Sequence, residues 1–327
     1  MMHKKHTLAA ALLLAAASAL PMAGMAAEPV AAAVQQPQQA PGFYRMQLGT
    51  FQVTALLDGT HLFAVDQLLL GARPGEVDRL LAQQYLKAPV EGMINAFLIE
   101  QGGRVMLVDT GAGELYGPDG GGLVAALQAS GHQPSDVDDI FITHLHKDHA
   151  GGLLRDGKAV FPNATVHVAK REFDFWTNSR NQNQVGPLQR PFFAAAQSVL
   201  APYRAAGRVQ TFEPAGQDLL PGLRALPAPG HTPGHSVYLL HDADQAMLFW
   251  GDTVHVAAVQ FDDPQVAIRY DWQSTRAIAS RDALYQQAVA NGWWIAAAHI
   301  SFPGIGHIAE GAPYEYRWVP ANYTLNR

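Results

Sequence analysis

Short apolar or alternating runs of about five to seven residues mark some stretches of the chain, and apolar positions at every third or fourth residue mark others. The first kind predicts strands at Phe51–Leu57, Ala96–Glu100, Val105–Asp109, Asp139–Thr143, Thr165–Ala169, Ala246–Trp250 and Trp294–Ala298. The second predicts helices at Val77–Gln84, Gly122–Ser130, Lys170–Phe175, Pro191–Ala206 and Thr275–Ala290. Short strands and helices alternate along the chain with no internal repeat and no linker, so residues 40–327 are expected to form a single α/β domain. With 48% apolar residues, it can bury one large core.

The N-terminal pattern differs. Lys4 and Lys5 precede an apolar run from Leu8 to Leu20, and small residues follow around Gly24–Ala27. Residues 1–27 read as a cleaved secretory signal whose apolar part is too short to anchor in a bilayer, and residues 28–39, with Gln35-Gln36-Pro37-Gln38-Gln39, as a flexible leader. A periplasmic or secreted protein without a membrane anchor is therefore expected. Loss of Lys4 and Lys5 takes the formal charge from −6 to −8, which disfavours nucleic acid as a partner. The chain has no Cys, so thiolate metal sites and redox motifs drop out.

The densest chemistry lies in Thr143-His144-Leu145-His146-Lys147-Asp148-His149, directly after the predicted strand at 139. If the chain is still extended at His144, the two-residue period points His144 and His146 the same way, toward one ion. Asp148 and His149 follow on the turn out of the strand, where they can face a second ion, and Gly151-Gly152 give the backbone freedom to bend. Three downstream segments each end in a further ligand type: Pro229-Gly230-His231-Thr232-Pro233-Gly234-His235, Leu248-Phe249-Trp250-Gly251-Asp252 and Ala296-Ala297-Ala298-His299. Gly111-Ala112-Gly113 and Asp119-Gly120-Gly121-Gly122 lack the remaining residues of a dinucleotide or phosphate loop and read as turns.

In this succession the chain resembles the metallo-β-lactamase superfamily, whose fold is a four-layer αβ/βα sandwich with the site along one edge between two sheets. The resemblance implies one zinc held by His144, His146 and His231, a second by Asp148, His149 and His299, and Asp252 bridging them. It gives Asp109, in Leu107-Val108-Asp109-Thr110-Gly111, the role of accepting the distal N–H of a ligating His, and His235 a buried supporting position. Zinc is the default for such ligands, although Mn, Co or Fe suits them too. Ala257–Pro264, Ser301–Ile308, Ala40–Met46 and Phe161–Ala164 are similar to the methyl parathion hydrolase branch of the superfamily.

That branch implies a homodimer and a pocket wall of Tyr116, Trp176 and Phe193 for a small neutral substrate. The reaction expected is hydrolysis of organophosphate triesters and activated aryl esters by a metal-bridging hydroxide held at Asp148 and Asp252. A lactonase, acting on acyl-homoserine or aryl lactones, would use the same metals and gain from the Tyr116 hydroxyl. A β-lactamase fits less well, because those enzymes lack a bridging carboxylate. A non-catalytic metal-binding module would need ligands but no open coordination position.

Overall fold

The computed structural model describes residues 39–312 and 315–323. The signal segment and all of the leader but Gln39 lie outside these residues.

Two seven-stranded sheets contain the main strands in chain order, and two short two-stranded pairs, Leu69–Leu70 with Ala267–Ile268 and Leu154–Arg155 with Lys158–Ala159, lie outside them. The first runs β1 (Phe43–Leu48), β2 (Phe51–Phe63), β3 (Val90–Gln101), β4 (Arg104–Val108), β5 (Asp139–Ile142), β6 (Thr165–Ala169) and β7 (Val209–Phe212). Its first four strands pair antiparallel, and β4 through β7 pair parallel. The second runs β8 (Asp218–Leu220), β9 (Leu223–Pro227), β10 (Ser236–Asp242), β11 (Gln245–Phe249), β12 (Trp294–Ala296), β13 (Ile305–Glu310) and β14 (Tyr316–Pro320). Here β11 and β12 pair parallel, and the remaining neighbours pair antiparallel.

Alternation along the strands builds the layers. Ala55, Phe97, Ile99, Met106, Val108 and Phe141 of the first sheet meet Leu223, Tyr238, Leu240, Met247 and Phe249 of the second. Their neighbours Leu56, Leu98, Leu107, Ile140 and Ile142 point the other way, into helices α2 (Leu123–Ala129), α3 (Lys170–Trp176) and α4 (Arg190–Ala205). On the far face of the second sheet, Leu284, Tyr285 and Ala288 of α5 (Ser274–Asn291) pack on Val237, Leu239, Leu248 and Ile295. The expected four-layer sandwich results, with helix α1 (Glu76–Gln83) in a satellite cluster around Phe63, Leu80, Leu81 and Val259. Each large aliphatic side chain so buried contributes roughly 1.5–3 kcal/mol.

All seven predicted strands and all five predicted helices are present, with shifted ends. β2 and β3 run well beyond the predicted spans, because a bulge between Leu57 and Gly59 carries the pairing past the polar Asp58-Gly59. Asp58 is buried, and its carboxylate accepts the backbone N–H groups of Ala112, Gly121 and Leu123. The two glycine-rich stretches thus fold around a carboxylate, as turns. Gly151 and Gly152 are needed for a different reason from the one the sequence suggested. Gly151 has an ordinary helical conformation, but a Cβ there would overlap the carbonyl oxygen of Ala112, and one at Gly152 that of Thr110.

Candidate metal centre

The candidate residues sit where parallel strands end. Asp109 follows β4, His144 and His146 follow β5, and Asp252 and His299 follow β11 and β12; His231 and His235 lie on the connection from β9 to β10. The strand ends at Ile142 and the chain bends at Thr143; His146 has extended backbone angles, and a helical turn at Lys147–Ala150 then rotates Asp148 and His149 to another side. Gly251 is left-handed (φ +50), and a Cβ there would sit 2.6 Å from Nε2 of His235, so glycine is required just before Asp252.

Two groups of donor atoms share no residue: His144, His146, His231 and Asp252 form one, and Asp148, His149 and His299 the other, while Asp252, His255 and His299 form a third that overlaps both, with the donors of each group within 4.8 Å of one another. Asp252 faces both. Its Oδ1 lies 2.8 Å from His149 Nε2 and 3.0 Å from His299 Nε2, while its Oδ2 lies 3.0 Å from His231 Nε2 and 3.6 Å from His144 Nε2. Asp148 Oδ2 stands 3.7 Å from His299 Nε2 and 3.8 Å from His149 Nε2.

The far sides of the rings are fixed. Asp109 accepts from His149 Nδ1 at 2.8 Å and from the amide and hydroxyl of Thr143, both at 2.8 Å. His299 Nδ1 donates to Met93 O at 2.8 Å and His231 Nδ1 to Asp271 Oδ1 at 2.9 Å. His235 donates from Nδ1 to Ala228 O and accepts the Asp252 amide at Nε2, 3.1 Å each, so both its ring nitrogens are engaged outside the two groups.

The charges are strongly coupled. Burial would raise the Asp252 carboxyl, yet His149, His299, His255 and His144 hold it well below the usual range. Burial would lower His149 and His231; Asp252, with Asp109 and Asp148 for the first and Asp271 for the second, lifts His149 well above its ordinary value and His231 to about 9. Burial and the neighbouring rings His149 and His231 push His144 and His146 well down, and burial lowers His235 to about 3.

Nε2 of His144, His149 and His299 and Oδ1 of Asp252 are buried and meet only other ligand-type atoms, and Nδ1 of His146 lies 3.0 Å from Nε2 of His231 in the same way. With Nδ1 of His149 and His299 donating outward, their Nε2 lone pairs face a carboxylate oxygen with no donor between them; an unsatisfied buried acceptor costs about 1–3 kcal/mol, so this cluster calls for cations. Nitrogen and carboxylate donors without sulfur suit zinc and related divalent metals.

The pocket differs in detail from the sequence reading. Trp176 and Phe192 lie against His146, with ring centroids 5.2 and 4.3 Å away, and Phe63 lies 6.1 Å from His299. Phe193 is fully buried behind Trp176 at 4.6 Å, so its neighbour Phe192 is the one in ring contact with the cluster. Tyr116 packs on His61, centroids 5.1 Å apart, and burial followed by Asp148, Tyr270 and Asp252 pushes its phenol far upward.

Sequence reasoning missed Asp271 and His255 as well as Phe192. His255 is buried and places Nε2 2.9 Å from Asp252 Oδ2. Its position three residues after Asp252 was an available signal; Asp271, 40 residues from His231, carries none.

A conserved-family model for the metallo-beta-lactamase superfamily matches residues 89–289, and the chain belongs to that superfamily. Among solved structures it is similar to the hydrolase AbOPH of the beta lactamase superfamily (36% identity, TM-score 0.83) and to AidC, a dizinc quorum-quenching lactonase in complex with its product N-hexnoyl-L-homoserine (25% identity, TM-score 0.82). Each alignment covers 88% of this chain and all of the other. A segment of 54 residues is 43% identical to the N-acyl homoserine lactonase AttM of Azorhizobium caulinodans, covering 16% of this chain and 19% of that one. The first-ranked curated relatives are matched over less than two thirds of their length.

Proposed function

We propose that the protein is a dinuclear metal hydrolase of small neutral lactones and aryl esters, with neutral organophosphate triesters as a further substrate class. The observation that carries this reading is Asp252, whose two oxygens each turn to a different group of ligand-type side chains. In this reading His144, His146 and His231 hold one ion, Asp148, His149 and His299 the other, and Asp252 is common to both. Bound metals supply Lewis acidity and make hydroxide available near neutral pH.

The chain's own groups do the rest. Asp109 and Asp271 keep His149 and His231 in the tautomer that turns Nε2 inward. Phe192 and Phe63 carry no charge and present apolar surface beside the ligand rings, which suits a neutral acyl or aryl group and keeps bulk water from it, and the fully buried Trp176 backs the His146 ring from the core. Tyr116, with its phenol shifted upward, stays protonated at neutral pH, so it serves as a hydrogen-bond donor to the oxygen that gains charge and not as a base.

The resemblance in sequence put organophosphates first. Lactones come first here because AidC, a lactonase, superposes over 88% of the chain, and a ring-opening alkoxide gains most from a nearby donor. The test is a parallel rate assay of metal-loaded protein on an acyl-homoserine lactone, an aryl ester, methyl parathion and a β-lactam, each with a chelated control. Chelator-sensitive lactone and ester cleavage is expected. Turnover of the β-lactam alone, or none at all, refutes the assignment.

A further inference from the structure

One fully buried carboxylate beside the centre belongs to neither donor group. Glu172 sits in the first turn of α3, immediately after β6, with no exposed surface. Its Oε1 accepts the backbone N–H of Leu145 at 2.9 Å. Its Oε2 accepts the Thr232 hydroxyl at 2.7 Å and the Gly234 N–H at 2.9 Å. Leu145 lies between His144 and His146, whereas Thr232 and Gly234 follow His231. Gly234 is glycine for this contact, since a Cβ there would overlap the backbone of Glu172.

We propose that Glu172 is a positioning residue that joins the His144/His146 loop of the first sheet to the His231 loop of the second and so sets the spacing of three side chains around one metal. A buried carboxylate is costly unless its acceptor sites are filled, and these are filled by donors from two loops that come from different sheets. The segment that supplies Glu172 also supplies Trp176, which packs on the His146 ring, so two supports of the same imidazole pair share one short helix. A backbone bond from Ser236 N to Thr143 O, 3.0 Å, joins the same connections and keeps the sheets together without the carboxylate.

The inference rests on reading these imidazoles as metal ligands, and it is tested with the full-length protein. Glu172→Gln keeps the shape but turns a donor toward one of the bound N–H groups. Zn2+ affinity is measured by competition with a chelating indicator, and geometry by the visible spectrum of the Co2+ form. The expected result is one Zn2+ about 10- to 100-fold weaker, an altered Co2+ spectrum, and kcat lowered by a like factor at nearly constant KM. Thr232→Val, which removes one of the three bonds, is expected to give a smaller change of the same kind, and no further change in a Glu172→Gln background.

Tyr203→Phe serves as the stability control. It deletes buried bonds to Leu153 and Phe161 elsewhere in the same core and is expected to lower Tm without moving metal affinity or spectrum. Parent-like Zn2+ affinity and Co2+ spectrum in Glu172→Gln, with only Tm reduced, overturn the proposal. If that variant does not fold, Thr232→Val decides on the same two readouts. A parent that binds no Zn2+ overturns the ligand reading itself, a result distinct from the others.

Discussion

Asp271→Asn is the perturbation that separates the two halves of the centre. Asp271 accepts His231 Nδ1 at 2.9 Å through Oδ1 and the Ile268 amide at 3.1 Å through Oδ2, and it is buried. Burial would raise its pKa, but the bond and charge of His231 hold it below the ordinary value, so at neutral pH it is an ionised partner for the imidazole. An Asn side chain has one carbonyl oxygen for two donors and no charge. Losing a charge-assisted bond of this kind costs about 1.5–3 kcal/mol, or roughly 10- to 150-fold in a binding constant. Because His231 belongs with His144 and His146, that loss is expected in one metal only, while the ion beside Asp148, His149 and His299 keeps its affinity. Stepwise Zn2+ constants from indicator competition, with total metal by elemental analysis, read this directly. Asp109→Asn is the mirror case, acting on His149. Equal weakening of both ions by Asp271→Asn, or parent constants for both, refutes the partition.

Four other outcomes follow from the structure. Asp252→Ala is expected to remove nearly all turnover and at least one metal, measured by kcat and metal content; a variant with two metals and full rate contradicts a shared carboxylate. Trp176 is 1% exposed inside the main core, so Trp176→Ala is expected to lower unfolding free energy by about 3–5 kcal/mol in a denaturant titration. Phe192→Leu should instead raise KM for aryl substrates with little change in kcat; the reverse pattern would exchange their roles. Asp139 supplies a pH test. Burial would raise its pKa, but bonds from His167 Nε2 and Arg104 Nε, each 2.7 Å, bring it below the ordinary value. A depressed carboxylate adds stability above its unfolded pKa, near 4, and loses that contribution as pH falls through the lower folded value. The Tm gap between parent and Asp139→Asn is therefore expected at pH 7 and should close on acidification below pH 4; a gap that widens in acid contradicts the sign.

Much of the centre was legible because its ligands cluster in sequence or punctuate strand ends. Three imidazoles and a carboxylate within 144–149 need no tertiary information, and His231, Asp252 and His299 each follow an apolar run or a Pro-Gly turn. The groups that hold those ligands were not legible. Asp271 and Glu172 are lone acids in helix or turn sequence, and only the folded chain brings them to His231, Leu145 and Thr232. Asp109 was found because a family motif marks it. Phe192 and Phe193 are adjacent, and a one-residue difference on a helix face, about 100°, decides which of them meets His146. Strands β9 and β10 were not predicted although Val237-Tyr238-Leu239-Leu240 is an unbroken apolar run; β9 is short and ends in Pro227, and only its antiparallel pairing with β10 makes it a strand.

The central claim is that Asp252 lies between two metals held by separate sets of side chains. Anomalous diffraction at the zinc edge from crystals of the zinc-loaded protein tests it most directly. The account predicts two peaks, one among His144, His146 and His231 and one among Asp148, His149 and His299, with a different Asp252 oxygen at each. A single peak, or two peaks with Asp252 on only one of them, would contradict it.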